Sequence, residues 1–192
     1  MRNWTTPVCL LLLFTSVLSS GQELQKSNSL EKFGTGFKAL TQNSILRTTE
    51  ETQSHSFLLK ALRASDLDCI LDYDGQFTVF APSNSAFDKL SEVTNKLLLN
   101  PENKEKLKAI MSYHIIAGNL SASKILRAMC RGEGKASFTT ILGEKITATM
   151  NGIDIVLTDN HGNKAKITSA DSRQRNGVIH EIDSVFFPVD LF

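Results

Sequence analysis

The stretch Phe77-Thr78-Val79-Phe80-Ala81-Pro82 constrains this chain more than any other. In an extended backbone Phe77, Val79 and Ala81 project to one side and Thr78 and Phe80 to the other, so both faces carry bulk. A strand of that kind is expected in the middle of a sheet, covered on both sides. Pro82 lacks an amide hydrogen and biases Ala81 toward extended geometry, which ends the strand. Ser83 then offers a capping oxygen to a short helix carrying Ala86, Phe87 and Leu90. Near the other end, Val178, His180, Ile182 and Ser184 alternate with Ile179, Glu181, Asp183 and Val185 behind the turn signal Asn176-Gly177, and a second strand is expected there.

Between these segments the pattern is first helical and then alternating. Leu58, Leu59, Ala61, Leu62 and Ser65 form one helical stripe, and Leu67, Ile70 and Leu71 a second short turn before the loop 72–75. Val93, Leu97, Leu98 and Leu99 give another helical face. Asn100-Pro101 starts a helix with Leu107, Ile110 and Met111 inward, and Ser121 caps one carrying Ile125, Leu126 and Met129. Tyr113 to Ile116 read as extended, followed by a turn at Ala117-Gly118-Asn119. Beyond Gly132, segments 138–142, 145–150, 153–158 and 164–168 read as short strands of an antiparallel meander. Helices early and strands late, with one central strand contributed from the first half, make the fold class α+β.

Three motifs carry a resemblance. Thr78-Val79-Phe80-Ala81-Pro82-Ser83-Asn84-Ser85-Ala86-Phe87, the pair Tyr113-His114, and Asn176-Gly177-Val178-Ile179-His180-Glu181-Ile182-Asp183 before Pro188 occur in the order found in the fasciclin domain family, which the chain resembles over roughly residues 54 to 190. The resemblance implies a compact fasciclin-like fold, an antiparallel β-sandwich or wedge with helices packed along one side. It implies a secreted cell-adhesion or extracellular-matrix interaction module that binds through surface loops. It places the candidate binding residues at Asp171-Ser172, just before the third motif, and at Tyr113-His114. Ser172 stands where the family carries an apolar residue, and Arg173 and Arg175 make the neighbourhood more basic. The alternative at these positions is structural, with Asp171 fixing the turn before Asn176 and Tyr113 and His114 packed inside.

At 192 residues the chain has room for one domain with modest extras. Residues 1–21 read as a signal peptide: Arg2, an apolar run from Val8 to Leu18, and small residues at Ser19-Ser20-Gly21. Residues 22–50 read as a polar leader with room for one short helix along Leu30, Phe33, Phe37 and Leu40, and residues 51–190 as the domain. The formal net charge is +1, and loss of Arg2 would bring it to zero, so no footprint for nucleic acid follows. The expected protein is secreted, extracellular or periplasmic, without a membrane span. One small surface binds weakly, so the expected partner is an extracellular protein or polysaccharide, with weak self-association as a further contribution.

Cys69 and Cys130 are a candidate disulfide, closing a loop of about 60 residues that would contribute on the order of 4 kcal/mol. Each also sits among apolar neighbours, as a small core residue would. Asn119-Leu120-Ser121 is a candidate glycosylation site. Asp66, Asp68, Asp72 and Asp74 miss the spacing of a calcium loop, and the four histidines miss metal-ligand spacing, so no metal or cofactor is expected. Ser83 lies at a strand-to-helix corner but lacks the flanking glycines of a hydrolase nucleophile, and no catalytic residue is assigned. Two other functions stay open: a soluble extracytoplasmic polysaccharide- or lipid-binding protein, and more remotely a serine hydrolase using Ser83.

Overall fold

The structure is a computed structural model that describes residues 42–72 and 75–188. The expected signal peptide, the stripe from Leu30 to Leu40 and Asp74 lie outside the described residues. The first helices are α1 (Ile45–Glu51), a 3-10 turn (Gln53–His55), α2 (Ser56–Ala64) and α3 (Asp68–Asp72). The strand β1 (Phe77–Pro82) follows, and then α4 (Asn84–Asp88), α5 (Glu92–Leu98), a second 3-10 turn (Pro101–Asn103) and α6 (Lys104–Tyr113). The chain continues through β2 (Ile115–Ala117), α7 (Ala122–Arg131), β3 (Lys135–Thr139), β4 (Lys145–Asn151), β5 (Asp154–Thr158), β6 (Lys164–Gln174) and β7 (Gly177–Ile182). The fold is α+β.

All seven strands form one sheet in the order β2-β1-β7-β6-β5-β4-β3. Every neighbouring pair is antiparallel except β1 with β7, which run parallel from Phe77 opposite Gly177 to Pro82 opposite Ile182. The sheet curls nearly into a barrel: the Ile141 amide, just past the β3 edge, donates to Ile115 O on the β2 edge at 2.8 Å.

The β1–β7 pair divides two cores. On one face Val79, Ala81 and Ile179 pack with Ile45, Leu58, Leu62, Phe87 and Ile110 under the N-terminal helices. On the other Phe80 and Ile182 pack with Tyr113, Ile125, Met129, Ile146 and Leu157 inside the curl and under α7. The two-faced alternation of β1 is therefore the reason it sits between two layers. Its exit corner forms as expected, with Ser83 Oγ accepting from the Ala86 amide at 3.3 Å.

Several elements differ from the sequence expectation. Residues 42–50, expected as the end of a polar leader, pack within the compact unit that starts at Gln42. Ser44 caps α1 by accepting from the Arg47 amide at 3.2 Å, and Ile45 is fully buried. Tyr113 ends helix α6 and His114 caps it, so neither is extended. β3 lies at 135–139, because Thr140 turns the chain by accepting from the Gly143 amide at 2.9 Å. Strand β6 runs through Asp171 to Gln174, where a loop was expected. Cys69 on α3 and Cys130 on α7 are both exposed and free, neither core residues nor a disulfide. The reason is placement: α3 buries Leu71 in the first core and α7 buries Ile125 and Met129 in the second, on opposite sides of the sheet.

Gly177 shows how tightly the parallel pair is drawn together. Its φ is +149°, and a Cβ there would lie 1.9 Å from Phe77 O. Gly177→Ala is expected to destabilise the domain by roughly 3 kcal/mol or more, read as a lowered urea midpoint. An unchanged midpoint would show that the two strands can separate without loss.

Candidate functional site

The motif residues lie together around β1 and β7, and their polar atoms face inward. His114 is buried: its Nδ1–H donates to Ile110 O at 2.7 Å, and its Nε2 accepts from the Phe186 amide at 3.0 Å. That arrangement needs a neutral ring, and complete burial lowers the His114 pKa to about 4. The Phe186 ring packs against Tyr113 and His114 at centroid distances of 6.1 and 5.7 Å. The Tyr-His pair thus clamps the segment after β7 into the second core. Neither side chain reaches the surface, which corrects the expectation that this pair contacts a partner.

Asp171 and His180 hold the segment leading into α7. Irregular register between Ser169 and Ser172 bulges β6, and Asp171 adopts φ +62°. Its amide donates to His180 Nδ1 at 3.2 Å, and its Oδ1 accepts from the Ala122 amide at 2.7 Å, at the first turn of α7. A carboxylate there also complements the helix dipole. His180 Nε2–H donates to Leu120 O at 2.7 Å, and burial lowers its pKa. Asp171 is therefore a helix anchor within a strand and does not fix the turn before Asn176.

The other assigned positions have structural roles or exposed ones. Asn176, buried, accepts from the Ile45 amide at 2.8 Å and donates to Leu71 O at 2.5 Å, tying α1 and α3 to the sheet. Ser83 is a cap whose Oγ lies 2.8 Å from Ser85 Oγ. Asn119 is half-buried with its amide donating to Gln76 Oε1 at 3.3 Å. Ser172 is exposed on β6 beside exposed Arg173. Among the described residues no group of three or more His, Cys, Asp or Glu is placed to hold a metal ion.

A cavity of about 190 Å3 lies where α1 and the first 3-10 turn approach β6 and β7. Thr48, Thr49, Thr52, Ser54 and His55 line the helical side. Ser169, Ser172, Ile179 and Glu181 line the sheet, placed there because Ser169 pairs with Glu181 and Ser172 with Ile179. Sequence reasoning missed this site. Its walls come from segments more than a hundred residues apart, and hydroxyls spaced along an amphipathic helix and a strand carry no motif of their own.

The family model for the fasciclin domain matches residues 53–188. The chain belongs to the fasciclin domain family. Protein sll1483 of Synechocystis sp. is 35% identical over 145 residues, covering 76% of this chain and 73% of that protein. The transforming growth factor-beta-induced protein ig-h3 of Sus scrofa is 33% identical over 147 residues, 76% of this chain, but the match spans only 20% of its length. Among solved structures, a domain pair from the insect cell adhesion molecule fasciclin I superposes with a TM-score of 0.67 at 19% identity, over 76% of this chain and 51% of that one. Among the described residues no helix is long and apolar enough to cross a membrane.

The buried fasciclin histidines make stability pH-dependent. His114 has a folded pKa near 4 against 6.5 in its ordinary state, so the unfolded chain binds more protons between those values. Stability is complete above pH 6.5 and falls as pH drops through this window, by about 3 kcal/mol from His114 once fully developed. His55 and His180, both lowered by burial, act in the same sense. Urea midpoints should decline between neutral pH and about pH 5, where ordinary carboxylates stay ionised; a flat profile would contradict neutral burial. Asp171→Ala should cost about 1–2 kcal/mol through the lost cap, seen as a lower melting temperature.

Proposed function

We propose that this chain is a secreted fasciclin-type adhesion module that binds an extracellular protein or polysaccharide through its outer surface. The observation that carries this reading is the inward use of the family motifs: His114, His180, Asp171, Asn176 and Ser83 all hold the chain to itself. What the molecule offers a partner is a rigid exterior. The likeness of fold to part of a cell adhesion molecule supports the same reading, and the charged and apolar pattern of residues 1–21 supports secretion.

The surface best suited to a protein partner is that of α5. Val93 is 66% and Leu97 37% exposed there, beside a groove of about 400 Å3 lined by Phe57 and Leu99 with Glu92 and Lys96 at its margin. An exposed apolar strip with a charged rim is the chemistry of an interaction site. The competing surface is Ser172 with Arg173 on β6, the part of the sequence-assigned site that remains accessible.

Cells plated on the immobilised chain should attach. The double variant Val93→Glu, Leu97→Glu should reduce attachment by about tenfold, as expected for loss of a contact worth about 1.4 kcal/mol, with an unchanged melting temperature. Loss in Ser172→Asp, Arg173→Glu instead would move the contact to β6. No attachment by the unaltered chain would overturn the adhesion reading.

A further inference from the structure

The cavity between α1 and the β6–β7 pair holds an unmet hydrogen-bonding demand. His55, 8% exposed, has an Nε2 that makes no hydrogen bond, and this atom lies 3.5 Å from Glu181 Oε2. The other ring nitrogen is 3.0 Å from Ser54 Oγ. With a carboxylate facing Nε2, the favoured tautomer carries its hydrogen on Nε2, and the Ser54 hydroxyl donates to Nδ1. The site then presents one donor without an acceptor next to an acceptor, Glu181 Oε2, whose sister oxygen already accepts from Thr168 Oγ1 at 3.1 Å.

A group that completes this arrangement must accept from Nε2–H and donate to the carboxylate. A hydroxyl does both, as a water does. An ammonium cannot accept, and a carboxylate cannot donate and would face the charge of Glu181. The hydroxyls of Thr48, Thr52, Ser169 and Ser172 around the same cavity can each serve as donor or acceptor, and their own bonds leave lone pairs open. Thr52 Oγ1, for example, donates to Thr48 O at 2.7 Å, which leaves its oxygen free to accept. Ile179 gives the floor one apolar surface.

Size narrows the choice. The cavity volume of about 190 Å3 falls below the roughly 300–1,000 Å3 of sites for drug-sized ligands. That suits one small ring and not an extended chain lying along the sheet.

We propose that this cavity binds a single neutral polyhydroxylated ring, a monosaccharide or the terminal sugar of a glycan, with one ring hydroxyl bridging His55 Nε2 and Glu181 Oε2. Glu181 lies at the cavity wall with its side chain 30% exposed. The contacts are hydrogen bonds without an aromatic platform, so affinity is millimolar. This proposal does not depend on the adhesive α5 surface.

The test is titration of the 15N-labelled protein with D-glucose, D-mannose, N-acetyl-D-glucosamine and myo-inositol, followed by amide shifts. At least one should give saturable shifts at Thr52, His55, Ser169 and Glu181, with a dissociation constant in the range of about 1–50 mM. His55→Phe and Glu181→Leu should each weaken binding by about tenfold or more. His55→Phe should melt no lower than the parent, because it removes an unmet donor; should it fail to fold, Glu181→Leu carries the comparison. The α5 double variant should bind sugar as the parent does, which separates this site from the adhesion reading. Absence of saturable shifts up to about 100 mM, equal affinity in a folded variant, or displacement of the sugar by methylammonium or acetate would overturn the proposal.

Discussion

Six residue pairs join β1 to β7 in parallel, and the rest of the domain is arranged around them. Parallel neighbours cannot be joined by a tight turn, so the chain makes a long excursion between Pro82 and Gly177 before β7 returns beside β1. Helices α4 to α6 pack in the core on one face, while the meander extends the sheet from β7 and curls round the second core together with α7. Because both faces of β1 carry bulk, neither layer can be omitted without leaving Val79 or Phe80 in water. Gly177 permits the contact, since its lack of a side chain lets the Phe77 carbonyl come within a distance no Cβ would tolerate.

Once this pair is formed, buried polar groups become the fasteners for the chain segments that cross it. Asn176 holds α1 and α3, His180 and Asp171 hold the entry to α7, and His114 holds Phe186. Each satisfies backbone groups that burial would otherwise leave unpaired. The histidines do so as neutral rings, because an imidazolium could not accept the amide hydrogens presented to it. Their chemistry is thus committed to architecture. The surfaces proposed for recognition lie outside this network: the apolar strip on α5, the exposed part of β6, and the hydroxyl-lined cavity beside His55.

Much of this was legible in the order of residues. Local signals placed the strand at Phe77, the caps at Ser83, Asn100 and Ser121, the inward residues of α6 and the α+β class, since alternation, capping and proline effects act within a few residues. What escaped was long-range. The antiparallel rule of the meander hid the single parallel pair. Ile45 lies in the stretch that reads as a polar leader, yet it is buried by partners far along the chain. Cys69 and Cys130 sit among apolar neighbours, but the helices turn Leu71 and Met129 inward and leave both thiols exposed. Asp171, expected to lie on a displayed loop, is turned by a bulge onto a helix that begins forty-nine residues earlier.

The order of residues by itself determined the central strand, the capped helix starts at Ser83, Asn100 and Ser121 and that one strand must be covered on both sides, because those outcomes follow from side-chain periodicity and backbone chemistry over short spans. Only the tertiary structure decided which motif residues face inward and which polar groups share a cavity. Burial and hydrogen-bond satisfaction depend on what the far end of the chain brings alongside. That is why a histidine before a helix and a glutamate in a strand, unremarkable apart, meet across a cavity at 3.5 Å.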